Sequence, residues 1–209
     1  KMYTLPKRKP GEMPFYKFNG DGSPLLMIHG YMVSGEMYYP LIDSYLDRYE
    51  TIVPDLRGYG QNRNMSGPYT TRQHAEDMIA ILDEMGIEKA HVMGYSMGGT
   101  IAQYLSLHFP NRVKSLILAC TFAHKPSTAL ERWQKGVFRT LLARLGAKGV
   151  MRFVTSQFGD LAGNDIEPKT AVWLRRMLSD NNDEVLLHSL EEIYTVDFRP
   201  HLKKITHPT

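Results

Sequence analysis

The chain has 209 residues, 43% hydrophobic and 22% charged, with a formal net charge of +3. That suffices for one globular domain with its own core and an insertion, and the charge is too slight to indicate a nucleic-acid partner. No run approaches the ~18 apolar residues of a membrane span, and Lys1 to Gly11 lacks the apolar core of a signal peptide. Lys1, Lys7, Arg8 and Lys9 read as a charged flexible end. The single cysteine, Cys120, excludes an internal disulfide and fits a reducing, cytoplasmic setting. Because it closes the apolar run Leu116-Ile117-Leu118-Ala119, it is expected to be a small buried hydrophobe.

In chain order, four apolar runs of strand length come first: Leu25–Ile28, Glu50–Val53, Ala90–Met93 and Val113–Ala119. All but the second are continuous rather than alternating, as in strands buried on both faces of a parallel sheet. Helical patterns lie between them. Met37, Leu41, Ile42, Tyr45, Leu46 and Tyr49 predict a helix over Glu36 to Tyr49. A second helix is predicted over Tyr69 to Met85, with Thr70 or Thr71 as cap, Ala75, Met78, Ile79, Leu82 and Met85 on one stripe, and Gly86 as its stop. A third runs from Thr100 to His108. This alternation predicts an α/β class with a doubly wound, mostly parallel sheet.

After Thr121 the pattern turns helical, from Ala129 to Tyr194, with only Val150–Phe153 resembling a strand. Amphipathic pieces at Leu130–Leu145, Lys169–Leu178 and Glu184–Tyr194 are separated by Gly159, Gly163 and Pro168. The expected organisation is a core over 1–124, an inserted helical cap over 125–196, and a return loop leading into a new strand over 197–209.

The chemistry concentrates at Gly94-Tyr95-Ser96-Met97-Gly98-Gly99, between a predicted strand and a predicted helix. In that setting G-x-S-x-G marks a strained strand-to-helix turn that lifts the serine hydroxyl out of the sheet. The flanking glycines are needed because a Cβ would collide with so tight a turn. A serine nucleophile needs a base, an acid to orient the base, and donors for the oxyanion. One donor is the N–H of Met97, at the positive end of the helix. The second comes from the loop after the first central strand, His29-Gly30-Tyr31, with Tyr31 N–H as candidate and Met32 as its neighbour if the loop is shifted by one.

Four stretches in order, His29-Gly30-Tyr31, Pro54-Asp55-Leu56-Arg57-Gly58-Tyr59-Gly60, the Ser96 turn and Asp197–Thr209, make the chain resemble an α/β-hydrolase-fold enzyme. It is most similar to small, cofactor-free carboxylesterase, lactonase and perhydrolase-like members with a helical cap. Serine at the nucleophile position sets it apart from haloalkane dehalogenases and epoxide hydrolases, which carry Asp there. The resemblance implies Ser96 as nucleophile, with a triad acid after the seventh strand and a histidine after the eighth. The end of the chain, Ile205-Thr206-His207-Pro208-Thr209, resembles the lead-in to that seventh strand. The acid and histidine are therefore expected outside these residues, roughly 60 residues further at about 30 per strand–helix unit. They would come from further sequence or from a second polypeptide that pairs with the edge left at Val113–Ala119. The alternative position for the acid, after the sixth strand, reads Cys120-Thr121-Phe122-Ala123-His124 and holds no carboxylate.

Of the eight histidines, His29 belongs to the oxyanion loop and reads as structural. His74, His91 and His108 lie on helices or a strand, and His188, His201 and His207 default to the surface. His124 is the one placed to line a pocket, since α/β sites open at the C-terminal ends of strands. Asp55 and Arg57 are expected to tie down their loop. Met32, Met37, Tyr38, Tyr39, Trp133, Phe138, Met151 and Phe153 fit either an apolar substrate pocket or ordinary cap packing. Arg132, Lys135, Arg139, Arg144, Lys148 and Arg152 read as a solvated face. No pair has metal-ligand spacing with supporting carboxylates, so no metal is expected, and the resemblance implies no cofactor. The function expected is hydrolysis of a small carboxylic ester or lactone through an acyl-enzyme on Ser96. The alternatives are a non-catalytic hydrolase-fold binding protein, or a perhydrolase, thioesterase or acyltransferase using the same serine.

Overall fold

The computed structural model describes residues 15–17, 20, 22–125, 128–158 and 168–209. Its strands are β1 (Phe15–Lys17), β2 (Ser23–Ile28), β3 (Tyr49–Pro54), β4 (Ala90–Tyr95) and β5 (Val113–Ala119), in one sheet of order β1-β3-β2-β4-β5. β3, β2, β4 and β5 are parallel and β1 is antiparallel to β3. The helices are α1 (Tyr39–Ile42), α2 (Thr71–Glu84), α3 (Met97–His108), α4 (Ala129–Phe158), α5 (Pro168–Ser179) and α6 (Asp183–Thr195).

β2 is central, and Leu25, Leu26, Met27 and Ile28 are all fully buried. Its alternate residues feed two clusters. Leu26 and Ile28 pack with Ile52, α2 and α3, while Leu25 and Met27 pack with Val53, Tyr38 and Ile42. A strand covered on both faces is what an uninterrupted apolar run specifies, so this is a doubly wound α/β fold. α2 begins as its sequence requires, with the Thr70 hydroxyl accepting from Gln73 N–H at 3.1 Å, and Gly86 ends it at φ +67°.

Four expectations are corrected. The helix over Glu36 to Tyr49 is a 3-10 turn at Gly35–Tyr38, the single turn α1 and a run of further turns. Pro40 lacks an N–H, and bonds such as Tyr45 N–H to Ile42 O close three-residue rather than four-residue turns. β5 is not buried on both faces. It lies at one edge of the described sheet, as expected for Val113–Ala119, but with Lys114 exposed and Ile117 39% exposed, and Leu116 N–H reaches Pro208 O at 2.8 Å. Cys120 is not buried: it is exposed, in a left-handed bend (φ +48°) where β5 has already ended. Val150–Phe153 belongs to α4, not to a strand.

Between β5 and residue 197 the elements among the described residues are the helices α4, α5 and α6. It leaves and returns through one neck, where His124 and Asp197 form a β-bridge and Phe198 N–H donates to Ala123 O at 2.8 Å. α4 breaks at Gly146 (φ +67°, ψ 174°), and the Asp183 carboxylate accepts the Ala147 N–H at the break. Leu142, Ala147, Val150, Val185, Leu186 and Ile193 then join the main core. Gly159 and Gly163, expected as separators, lie outside the described residues. The last segment forms a 3-10 turn at Arg199–Lys204 before approaching β5, and no strand is formed at 205–209. No helix among the described residues is long and apolar enough to cross a membrane.

Candidate active site

β4 ends at Tyr95 and α3 begins at Met97, so Ser96 makes the turn alone. Its backbone sits at φ 51°, ψ −116°, a conformation that costs an L-residue on the order of 1–3 kcal/mol. The surroundings enforce it. Ser96 N–H donates to Ala119 O at 2.9 Å, and the Ser96 carbonyl accepts from Gly99 N–H at 2.9 Å and from the Thr121 hydroxyl at 2.6 Å. A serine before a helix normally caps it; here the side chain makes no capping bond. The residue as a whole is half-buried.

The glycines are required by space. A Cβ on Gly98 would strike the carbonyl oxygens of Ile28 and His29, and one on Gly94 would strike the Gly98 backbone. α3 therefore lies directly on the end of β2, which brings the next loop to the serine. A Cβ on Gly30 would stand 3.3 Å from Ser96 Cβ.

That loop is held by His29. Leu56 N–H donates to His29 Nε2 at 2.9 Å, so the proton is on Nδ1, which donates to the Gly30 carbonyl at 2.8 Å. Gly30 C=O and Tyr31 N–H share one planar peptide and point in opposite directions. Fixing the carbonyl thus fixes the direction of the Tyr31 N–H. Burial pushes the His29 imidazole down to about 4, so it remains neutral and keeps this pattern. Met32 follows in the left-handed region at φ 63°. On the other side, Met97 is the first residue of α3, where an N–H has no partner within the helix.

Asp55 and Arg57 tie down their loop as expected. Asp55 accepts from Gly35 N–H at 2.7 Å and Gln61 N–H at 2.8 Å, while burial raises its carboxyl above the ordinary range. Arg57 grips Asp77 through Nε at 2.8 Å and Nη2 at 2.6 Å.

Several other histidines are engaged elsewhere. His91 meets Ser115 Oγ at 2.7 Å, His108 stacks on Tyr104, and His207 bridges Ser106 and the Pro110 carbonyl. His74 is buried in the core, and burial lowers its imidazole to about 3. His124, expected as a possible pocket residue, closes the neck: its Nδ1 lies 3.2 Å from Val196 O and 3.9 Å from Asp197 Oδ2. Arg199, paired at 2.7 Å, holds Asp197 down at about 2. Nor do the apolar candidates form one pocket. Trp133 is 66% exposed, whereas Tyr38 is buried with its hydroxyl on Ile28 O, and the side chains of Met151 and Phe153 lie outside the described residues. Of the cap's basic residues, Lys135 pairs with Glu191 at 2.7 Å and Arg139 with the same carboxylate at 3.3 Å. Among the described residues no group of three or more His, Cys, Asp or Glu is placed to hold a metal.

Sequence reasoning missed Thr121, whose hydroxyl clamps the Ser96 carbonyl. No sequence signal marks it: the register that pairs Tyr95 with Ala119 is what sets residues 120–121 beside the turn. It also missed Asn181, whose Nδ2 donates to Met32 O at 2.9 Å.

The chain belongs to the α/β-hydrolase fold family, whose model, described as alpha/beta hydrolase fold, matches residues 23–156. It is 28% identical over 203 residues to the pimeloyl-[acyl-carrier protein] methyl ester esterase of Aliivibrio salmonicida, covering 93% of this chain and 74% of that protein. It is 30% identical over 172 residues to the 3-oxoadipate enol-lactonase 2 of Acinetobacter baylyi, covering 82% of this chain and 63% of that protein. The chain spans 39–74% of the length of three curated relatives that it matches. A crystal structure of a hydrolase from Pseudomonas aeruginosa PA01 superposes with a TM-score of 0.82 at 22% identity, over 99% of this chain and 78% of that one.

Proposed function

We propose that this chain carries the nucleophile and oxyanion donors of a serine hydrolase acting on a small carboxylic ester or lactone. The observation that carries the proposal is Ser96: a non-glycine residue held at φ 51°, ψ −116°, its hydroxyl uncapped at a helix N-terminus with the Gly30 loop packed against it. The Ser96 hydroxyl attacks the acyl carbon and passes its proton to a base. The N–H groups of Met97 and Tyr31 take the oxyanion, and the alcohol leaves as an acyl-enzyme forms on Ser96. Water then releases the acid. Base and orienting acid are a histidine and a carboxylate contributed from outside these 209 residues, by further sequence or a second polypeptide. The core (1–124) supplies the turn and the loop, the helical segment (125–196) covers them, and 197–209 returns to the sheet. Names of relatives as an ester esterase and an enol-lactonase support the substrate class.

A serine-directed fluorophosphonate tests this in the intact protein. Stoichiometric label on Ser96, with hydrolysis lost by about 10⁴-fold or more in Ser96→Ala at unchanged melting temperature, is the expected result. An intact protein that hydrolyses esters equally well as Ser96→Ala sinks the proposal.

A further inference from the structure

The loop that meets Ser96 is gripped from the far side by the helical segment. The Tyr31 hydroxyl donates to the Leu186 carbonyl on α6 at 2.9 Å, across 155 residues of chain. Burial raises the phenol well above its ordinary range, so it stays a donor. One residue on, Asn181 Nδ2 donates to the Met32 carbonyl at 2.9 Å, with the Met177 and Leu178 carbonyls that end α5 also within reach. Glu36 at the end of the same loop accepts from Arg176 at 2.6 Å and from Trp173 Nε1 at 3.2 Å, both on α5. The grip is rigid on its own side. Val185 and Leu186 are fully buried in the main core, and Asn182 Oδ1 caps α6 by accepting from Glu184 N–H at 2.9 Å.

From these contacts we infer that the α5–α6 turn sets the geometry of the oxyanion loop, with Asn181 as its positioning residue and the Tyr31 hydroxyl as the second anchor. The inference rests on Ser96 being the nucleophile and Tyr31 N–H a donor. The physical case is that Met32 occupies the left-handed region, which a methionine does not favour. Something must hold it there, and the side-chain amide of Asn181 on the Met32 carbonyl does so. With the Tyr31 ring pinned to α6 and the Gly30 carbonyl pinned by His29, the peptide bearing the Tyr31 N–H is fixed from both ends. A helical segment that shifts away from the core would therefore release the oxyanion donor at the same time as it opened the site.

The test uses the intact protein, p-nitrophenyl acetate turnover and the rate of fluorophosphonate labelling at Ser96. Asn181→Ala is expected to lower kcat about tenfold to a hundredfold with KM unchanged, the range set by misplacing one donor. The labelling rate should fall by the same factor. Tyr31→Phe, which keeps the backbone N–H and deletes only the bond to Leu186, lowers kcat in the same direction. Thr70→Ala is the structural control: it removes the α2 cap, which takes no part in holding the loop, so it lowers the melting temperature while kcat holds. The idea is overturned if Asn181→Ala and Tyr31→Phe match Thr70→Ala in kcat, or if their loss appears in KM alone, while the wild type still labels at Ser96. A wild type that never labels overturns this inference and the hydrolase proposal together.

Discussion

The two halves of the site are built in opposite ways. The Ser96 turn is shaped by its own residues, the glycines at 94 and 98 that let α3 rest on β2, and Ala119 and Thr121 on the adjacent chain only clamp it. The oxyanion loop, by contrast, is held by residues 27, 155 and 149 positions away, namely Leu56 on His29, Leu186 on Tyr31 and Asn181 on Met32. A local turn is specified wherever its few residues occur in order, whereas the loop takes its shape only once distant elements have docked. The first should therefore be sensitive to packing, the second to changes far from the serine.

The most severe challenge to the turn is Gly98→Ala. Its Cβ has backbone oxygens rather than flexible side chains in its way, so a destabilisation of about 3 kcal/mol or more is expected. Thermal melting would show it, and a variant that melts like wild type would mean α3 does not sit on β2 this closely. The loop side is challenged by acid. His29 and His74 are neutral in the fold, held to about 4 and about 3, whereas in the unfolded chain they take up protons near pH 6.5. Their contribution is complete above pH 6.5 and is lost as pH falls towards 4, by up to about 1.4 kcal/mol per pH unit for each. Urea titrations between pH 7 and 5 measure this slope, and His74→Leu should roughly halve it.

Asp55→Ala leaves the Gly35 and Gln61 N–H groups without their acceptor, at a cost of about 2–3 kcal/mol. Denaturant melts check the size, and turnover should fall with it because residues 35 and 31 belong to one loop. The smallest effect belongs to Thr121→Val, which keeps the shape and removes only the hydroxyl on the Ser96 carbonyl. About 1 kcal/mol of stability and a few-fold loss of kcat are expected. A larger kcat loss than for Asn181→Ala would reverse the comparison, placing the less tolerant geometry at the serine.

How much was legible in advance follows the same division. β2, β3, β4 and β5 stand where the apolar runs lie, because a strand inside a parallel sheet needs apolar side chains on both faces. Where that logic was extended to the burial of β5 and Cys120 it failed, although β5 does lie at the edge of the described sheet, where Val113–Ala119 was expected. The helix expected over Glu36 to Tyr49 failed for a different reason. Met37, Ile42, Tyr45, Leu46 and Tyr49 of its stripe pack together on the sheet while Leu41 stays exposed, and Pro40 and the tight turns at 43–48 achieve this without a continuous helix.

The sequence by itself determined the strand–serine–helix turn, a threonine cap at 70 or 71 and the order of the parallel strands' apolar runs, because each depends on residues within a few positions of one another. Only the tertiary structure decided that His29 orients the Tyr31 peptide, that Thr121 clamps the serine, and that Asn181 and Leu186 hold the loop opposite. Those bonds join residues 25 to 155 positions apart, and which donor meets which carbonyl is settled by how the sheet and the helices pack.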